Sequence, residues 1–187
     1  MSPSAEQSSQ ILKVAKDALD KLNIPFCLFL GTALGAYRDG TFCGGDTDDI
    51  DIAVDIKYFN RLEEIKQTLG IPVTLEWNPD GLCPEVSFKH KWSSDPRHYT
   101  KVDIFFITEI DGRMCWRFYL DETGSKFITK SFAKKHWDTW DMTDFFGEEY
   151  NIPGYIEDYL TANYGDWRTP IHRDKWNWQT DNLCVSV

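Results

Sequence analysis

The sequence predicts an α/β (α+β) fold, a mixed β-sheet flanked by helices, from three observations. Segments with helical spacing of apolar residues alternate with short apolar strands through residues 1–70. Several strand patterns then follow in succession, and one more helix pattern lies near the end. The 187 residues, 42% of them hydrophobic, suffice for one domain with its own core, so residues 1–187 are predicted to form a single domain.

The first half is predicted to contain three helices and two strands. The first helix is amphipathic, and the first strand is continuously apolar, as in a sheet buried on both faces. Gly31-Thr32 is expected to break that strand, with a helix starting at once. The predicted helices are residues 4–22, 32–38 and 57–70, and the predicted strands are 26–30 and 49–54.

The second half is richer in strands. Two strand patterns flank Asp111-Gly112, a good two-residue hairpin turn. Pro153 stands where a proline suits the first turn of a helix, which is expected to close before Gly165. The predicted strands are 73–77, 85–92, 101–110 and 113–120, and the predicted helix is 153–164.

Composition excludes some functions. The net charge of −10 disfavours a nucleic-acid partner bound on the surface, since no broad basic face could release counterions. The five cysteines include no CxxC pair and are expected to be free thiols in a reducing compartment. No apolar stretch is long enough for a signal peptide or a membrane span, which predicts a soluble, cytoplasmic chain.

Aspartates cluster at the start of the second strand. Asp46, Asp48, Asp49, Asp51 and Asp55 fall within ten positions. Because side chains alternate along a strand, Asp49 and Asp51 share one face while the apolar residues between them face the core. Two carboxylates this close repel unless a cation lies between them, and hard oxygen ligands suit Mg²⁺ or Mn²⁺. A solvated loop remains the alternative for the other three aspartates.

Asp103 is the candidate third ligand. It lies in "KVDIFFI", the most apolar strand pattern of the chain, where a lone carboxylate is costly to bury unless it is paired or bound to metal. A surface or salt-bridged aspartate is the alternative. If it is a ligand, Asp103 is also a candidate to orient or deprotonate an attacking hydroxyl.

The glycine turn before these acids suits an anion. A strand, a turn of small residues and a helix N-terminus present backbone N–H groups to phosphate, and Gly31 lies at such a turn. The hydroxyl of Thr32 could also donate, and Arg38 could reach a phosphate oxygen. A simple tight turn is the alternative for Gly31 taken alone.

Four sequence blocks, in order, resemble the LicD family, which includes the bacterial phosphocholine transferases, fukutin and fukutin-related protein. They read "GTALGAYRDG", "DTDDIDIAV", "KVDIFFI" and "IPGYIEDYLTANYGDWRTP", within residues 26–170. The resemblance implies the nucleotidyltransferase fold. Family members commonly carry Pro-Trp before the acids, whereas Gly44-Gly45 stands here, so Asp46 or Asp48 is expected to replace the family's first acid.

The resemblance implies a metal-dependent phosphotransferase. A CDP-alcohol would supply phosphocholine, phosphoribitol or a similar group, and the acceptor would be a glycan hydroxyl. Asp49, Asp51 and Asp103 would hold Mg²⁺ or Mn²⁺ and act in catalysis. The expected substrate contacts, with solvated surface charge as the alternative for the strand lysines, are Gly31, Thr32, Arg38, Asp48, Lys89, Lys91 and Arg168.

Two other functions remain open from the sequence. One is nucleotidyl transfer to a small molecule such as an antibiotic, which would use an NTP and release pyrophosphate. The other is a non-catalytic LicD-like module, for which the shifted aspartate loop is the support. The released product, or its absence, would distinguish the three.

Overall fold

A computed structural model describes residues 2–177 and 182–186 of the chain. The α-helices are α1 (Ala5–Lys21), α2 (Leu30–Asp39), α3 (Leu62–Leu69), α4 (Lys135–Asp138) and α5 (Ile156–Tyr164). The strands are β1 (Phe26–Leu28), β2 (Asp49–Asp55), β3 (Val73–Trp77), β4 (Glu85–Lys91), β5 (Tyr99–Ile110), β6 (Arg113–Tyr119), β7 (Phe127–Ala133), β8 (Trp140–Phe145), β9 (Glu148–Pro153) and β10 (Val185–Ser186). These elements give the expected mixed α+β fold.

The long strand β5 organises the sheet. Its first part pairs with β2 in parallel and with β4 antiparallel, and its last three residues pair with β6. The sheet continues from β6 through β7 to β10, while β1 flanks β2 and β3 flanks β4. Only β2 and β5 run parallel among the described strand pairs, so the sheet is mixed as predicted.

The helices cover the sheet with their apolar faces. In α1, Ser4 and Gln7 form a capping box, and the buried face includes Leu12, Ala15 and Leu19. The buried residues of α3 recur at helical spacing, as the sequence predicts. None of the helices in the described ranges combines the length and apolarity needed to cross a membrane.

The turn after β1 comes earlier than predicted. The strand ends at Leu28, and α2 begins at Leu30, so Gly31 and Thr32 belong to the first helical turn. The backbone turns at Leu30, whose φ is 40°, in the left-handed region that a residue with a Cβ rarely adopts. The prediction of a break at Gly31-Thr32 was therefore wrong by about one residue, because the turn uses leucine rather than glycine.

The last helix also begins later than predicted. Pro153 is the last residue of β9 rather than the opening of a helix, and α5 begins at Ile156 after Tyr155 in the left-handed region. The hairpin of β8 and β9 was missed, although its turn at Phe146-Gly147 has positive φ at both residues. The predicted hairpin at Asp111-Gly112 is confirmed.

A buried lysine, Lys130, holds the segment that leads into β10. Lys130 on β7 donates from its ammonium to the carbonyl oxygens of Asn182 and Cys184, both at 3.2 Å. The side chains of Asn163 and Asn182 lie 3.3 Å apart beneath them. These contacts hold the end of the described chain against α5 and β7.

Candidate active site

The candidate site is built from residues that stand side by side on three adjacent strands. Because the register between β2, β5 and β4 is regular, side chains form cross-strand rows on one face of the sheet. The central row joins Asp51, Asp103 and Ser87. The rows on either side consist of Asp49, Lys101 and Lys89, and of Ala53, Phe105 and Glu85.

The three predicted acids meet on this face. Carboxylate oxygens of Asp49, Asp51 and Asp103 all lie within 4.8 Å of one another. Oδ1 of Asp49 is buried and accepts no hydrogen bond within the described residues, although the Lys101 ammonium lies 3.2 Å from it. Hard oxygen atoms at this spacing, one of them short of hydrogen bonds, fit a divalent cation such as Mg²⁺ or Mn²⁺.

Neighbouring groups fix the orientation of the acids. The Ser87 hydroxyl donates to Oδ1 of Asp103 at 2.5 Å. The backbone N–H of Asp51 donates to the Thr32 hydroxyl at 2.9 Å, and the Asp51 carbonyl accepts from the N–H of Phe29 at 3.0 Å. The start of α2 and the strand that carries two of the acids are therefore tied together directly.

Burial and mutual repulsion raise the pKa of carboxyl groups in this cluster. Burial, followed by the charges of Asp49 and Asp103, raises the pKa of Asp51 well above its ordinary value. Burial raises the pKa of Asp103 to about 6, although Lys101 opposes the shift. Burial and the charge of Asp103 likewise raise the pKa of Glu85. The site therefore has a deficit of positive charge, which a bound cation would offset.

These pKa shifts predict how stability depends on pH without metal. A carboxyl whose pKa is higher in the folded state binds protons more tightly there, so it stabilises the fold at low pH and loses this effect as pH rises. For Asp103 the loss runs from its ordinary pKa of 3.8 up to about 6. We expect the melting temperature of the wild type, measured relative to Asp103→Asn in EDTA, to fall as pH rises through this window. A difference that stays constant or increases would contradict the assignment.

A cavity of about 610 Å³ opens in front of the acids. Its lining carries Asp46, Glu85, Asp166 and Asp174 besides the three clustered aspartates. Of the described residues that line it, two are basic, Arg38 and Lys101. Aromatic side chains form much of the remaining wall, including Trp77, Phe118, Tyr119, Tyr164, Trp167 and Trp176.

Five of the predicted site residues line this cavity, and they are Gly31, Arg38, Asp49, Asp51 and Asp103. At Gly31, a Cβ atom would stand 3.7 Å from Oδ2 of Asp51, so the missing side chain leaves the carboxylate open. The Arg38 guanidinium pairs with the carboxylate of Asp39 and donates to the Trp167 carbonyl at 2.8 Å. It therefore joins α2 to the segment after α5.

Thr32 and Asp48 are not among the described residues that line the cavity. Thr32 is buried at 2% exposure, and its hydroxyl accepts the hydrogen bond from Asp51. The Thr32 oxygen therefore helps to hold β2, and a contact between Thr32 and phosphate stays a prediction. Asp48 contacts β5 through its carbonyl, which accepts from the N–H of Lys101 at 2.8 Å. Of the two candidates for the family's first acid, Asp46 is the one that reaches the cavity.

The other predicted basic contacts also lie outside the cavity lining. Lys89 extends beyond Lys101 in the same row and places its ammonium 4.1 Å from the centre of the Tyr99 ring. Lys91 is exposed at the end of β4. Arg168 pairs with Glu157 at 2.6 Å and stacks on Trp167. A role for these three in binding substrate stays a prediction, and it would need them to move.

Sequence reasoning missed three residues of the site: Ser87, Glu85 and Lys101. Lys101 precedes Asp103 by two positions, so strand alternation alone places both on one face, and this signal could have been read. Glu85 and Ser87 share a face of β4 by the same rule. Their place beside Asp103 depends on the pairing of β4 with β5, which no local pattern indicates.

Comparison with known proteins identifies the family of the chain. The family model described as LicD/FKTN/FKRP, nucleotidyltransferase domain, matches residues 23–154, which contain all three acids. The chain belongs to the LicD family. The family assignment was therefore predicted correctly from the four sequence blocks.

Individual relatives of this LicD chain point to one group of proteins. It is 30% identical over 179 residues to the ribitol-5-phosphate transferase FKTN of Mus musculus, covering 94% of this chain and 36% of that protein. It is 28% identical over 176 residues to the Homo sapiens protein of the same name, covering 93% and 35%. The chain thus spans about a third of the length of these relatives.

A solved structure gives a more distant comparison for this LicD chain. The lincomycin-bound lincosamide antibiotic adenylyltransferase LnuA matches with a TM-score of 0.49 and 15% identity, over 81% of this chain and 83% of that one.

Proposed function

We propose that this chain is a divalent-metal-dependent phosphotransferase that moves a phospho-alcohol from a CDP-alcohol to a glycan hydroxyl. The observation that carries the proposal is the meeting of Asp49, Asp51 and Asp103 within 4.8 Å at the mouth of a cavity. The names of the curated relatives make ribitol 5-phosphate the first candidate among the transferred groups.

The three aspartates would hold the cation through their carboxylate oxygens. The bound cation would neutralise the diphosphate of the CDP-alcohol and the charge that develops during phosphoryl transfer. Gly31 leaves space for a phosphate oxygen close to Asp51, and the N-terminal turn of α2 is near enough to contribute its partial positive charge.

Asp103 is the best candidate to receive the acceptor's proton. It lies in the central row between Asp51 and Ser87, where its carboxylate can accept a hydrogen bond from the attacking hydroxyl. The acceptor oxygen forms a bond to the phosphorus that bears the alcohol, the bond from that phosphorus to the bridging oxygen breaks, and CMP leaves. The proton of the acceptor hydroxyl passes to the Asp103 carboxylate, while the Ser87 hydroxyl continues to donate to Oδ1.

The cavity walls would exclude water and select the substrate. Aromatic side chains give apolar surface on which a base or a sugar can stack. The Arg38 guanidinium fastens the Trp167 backbone, so the wall formed by the segment after α5 is held at a fixed distance from α2. This arrangement suits a site that must favour transfer to a hydroxyl over hydrolysis.

Ligand binding and product analysis test the proposal together. The melting temperature is measured with and without Mn²⁺ in the presence of CDP-ribitol, CDP-glycerol, CDP-choline, CTP or ATP. A ligand at 100 times its dissociation constant stabilises the folded state by about 2.7 kcal/mol. For a domain of this size that corresponds to a rise of about 5–10 °C. We expect such a rise with one CDP-alcohol only when Mn²⁺ is present, and CMP release once a glycan acceptor is added.

Other outcomes would favour the rival functions. A shift only with an NTP, together with release of pyrophosphate, would support nucleotidyl transfer instead. No shift with any of these ligands, and no metal binding, would support a non-catalytic module. Asp51→Asn serves as the matched control throughout, because it removes one charge of the cluster and keeps the side-chain shape.

A further inference from the structure

Lys101 places a cation among the three acids. Its ammonium lies 2.7 Å from Oδ2 of Asp103 and 3.2 Å from Oδ1 of Asp49, and its side chain also lines the cavity. Because it pairs with two carboxylates at these distances, the side chain is an ammonium. In this structure Lys101 is the counter-ion of the carboxylate cluster.

The lysine and a divalent cation need the same oxygen atoms. A cation held by this cluster would bind carboxylate oxygens of Asp49 and Asp103, which the ammonium already contacts. Two cations at hydrogen-bond distance from the same carboxylate oxygens repel each other strongly in a partly buried site, and the divalent ion carries twice the charge of the ammonium. The ammonium must therefore leave the cluster when the ion enters.

The cavity gives the ammonium a direction in which to move. β5 and its neighbours block the sheet side, whereas the cavity is open and the four-carbon stem of lysine is flexible. Arg38, the other basic residue among the described lining residues, is already engaged by Asp39 and the Trp167 carbonyl. A diphosphate bound in the cavity would therefore meet Lys101 as its available cationic side chain.

We propose that Lys101 is a phosphate-binding residue that exchanges places with the divalent cation. Without metal it neutralises Asp49 and Asp103, and with metal and substrate bound it turns to a non-bridging oxygen of the diphosphate. The proposal rests on the proposed function for the presence of a diphosphate. It does not depend on which alcohol or nucleoside the diphosphate carries.

Removing the lysine should have opposite effects on two ligands. Lys101→Met abolishes the competing ammonium, so Mn²⁺ alone should bind more tightly. The same variant lacks the phosphate contact, so pyrophosphate in the presence of saturating Mn²⁺ should bind about tenfold more weakly, the loss expected for one charge-assisted hydrogen bond. A lysine with only a structural role would not separate the two affinities in this way.

Lys66 provides a matched control. Its ammonium also bridges two carboxylates, Glu63 at 2.8 Å and Glu76 at 2.7 Å, and its side chain is 22% exposed against 28% for Lys101. It lies on α3 and does not belong to the described cavity lining. Lys66→Met should leave both affinities unchanged. Lys101→Gln, which keeps a polar group beside Asp103, is the second variant in case the methionine impairs folding.

The measurement is calorimetric titration with Mn²⁺, then with pyrophosphate, then with CDP-ribitol. We expect Lys101→Met and Lys101→Gln to bind Mn²⁺ more tightly and Mn²⁺-dependent pyrophosphate more weakly than the wild type. Weaker Mn²⁺ binding, unchanged pyrophosphate binding, or a wild type that binds no pyrophosphate would overturn the inference. If pyrophosphate behaves as expected and CDP-ribitol does not bind, the inference on Lys101 holds and the proposed ribitol group fails instead.

Discussion

Asp49→Asn and Asp51→Asn are each expected to lower kcat by about 10³-fold or more, equivalent to about 4 kcal/mol of activation free energy. The physical reason is that an amide oxygen carries no net charge and binds a divalent cation weakly in comparison with a carboxylate. The variants should keep the fold, since their side-chain shapes are nearly unchanged. Turnover with the cognate CDP-alcohol at saturating Mn²⁺ is the measurement.

Stability measured in EDTA gives a second readout. Because burial and neighbouring charges raise the pKa of Asp51, its ionised form is unfavourable in the metal-free fold. Asp51→Asn should therefore keep or raise the melting temperature at pH 7 while abolishing turnover, which is typical of residues retained for function at the expense of stability.

Asp55→Asn is the control on the same strand. Asp55 ends β2 outside the described cavity lining, and its carboxylate accepts from the N–H of Lys57, a bond that asparagine can also accept. Its activity should remain within about twofold of the wild type, since surface substitutions away from the site change little. Full activity of Asp49→Asn or Asp51→Asn would refute the assignment of these residues.

Gly35→Ala should destabilise the protein strongly. A Cβ on Gly35 would lie 2.5 Å from the Thr41 carbonyl oxygen and 2.7 Å from the Cys43 backbone nitrogen, and neither backbone atom can move away easily. In an exposed helix, replacing glycine by alanine would increase the free energy of unfolding by about 1 kcal/mol. Here overpacking should lower the free energy of unfolding by about 1–3 kcal/mol or more, which outweighs that gain. We expect a lower free energy of unfolding in urea and reduced turnover, because the displaced segment leads to the cavity wall at Asp46.

Gly31→Ala, on the same helix, is the control for the loss of stability expected in Gly35→Ala. The nearest atom to its Cβ would be Oδ2 of Asp51 at 3.7 Å, an ordinary contact, so the fold should be unaffected or slightly stabilised. The added methyl nevertheless faces the carboxylate cluster, and kcat/KM should fall. Equal stability losses in the two variants would show that the close approach at Gly35 has no special role.

The central part of the site could be predicted from the sequence because it follows local rules. Alternation along a strand places Asp49 and Asp51 on one face, and the cost of burying a lone carboxylate singles out Asp103. The structure places Asp51 and Asp103 directly across from each other on parallel strands. Their role in metal binding remains a proposal, whereas their proximity is a property of the fold.

What the sequence did not reveal depends on contacts between distant segments. Glu85 and Ser87 reach the site because β4 lies beside β5, and strand order cannot be read from periodicity. The contacts that Thr32 and Arg168 make in the structure could not be read from the sequence for a similar reason. Each had a suitable chemical group, but the Asp51 N–H engages one and the Glu157 carboxylate engages the other.

Two stretches of the chain form the wall of the cavity. All three clustered acids lie within residues 23–154, the part that matches the family, whereas Tyr164, Trp167, Trp176 and Asn182 follow it. Lys130 and Arg38 join the second stretch to the first through backbone carbonyl groups, which are the same whatever side chains the second stretch carries. A side-chain substitution in this later stretch can therefore reshape the cavity wall while the acids keep their positions. The shape of the cavity can thus change separately from the geometry of the acid cluster.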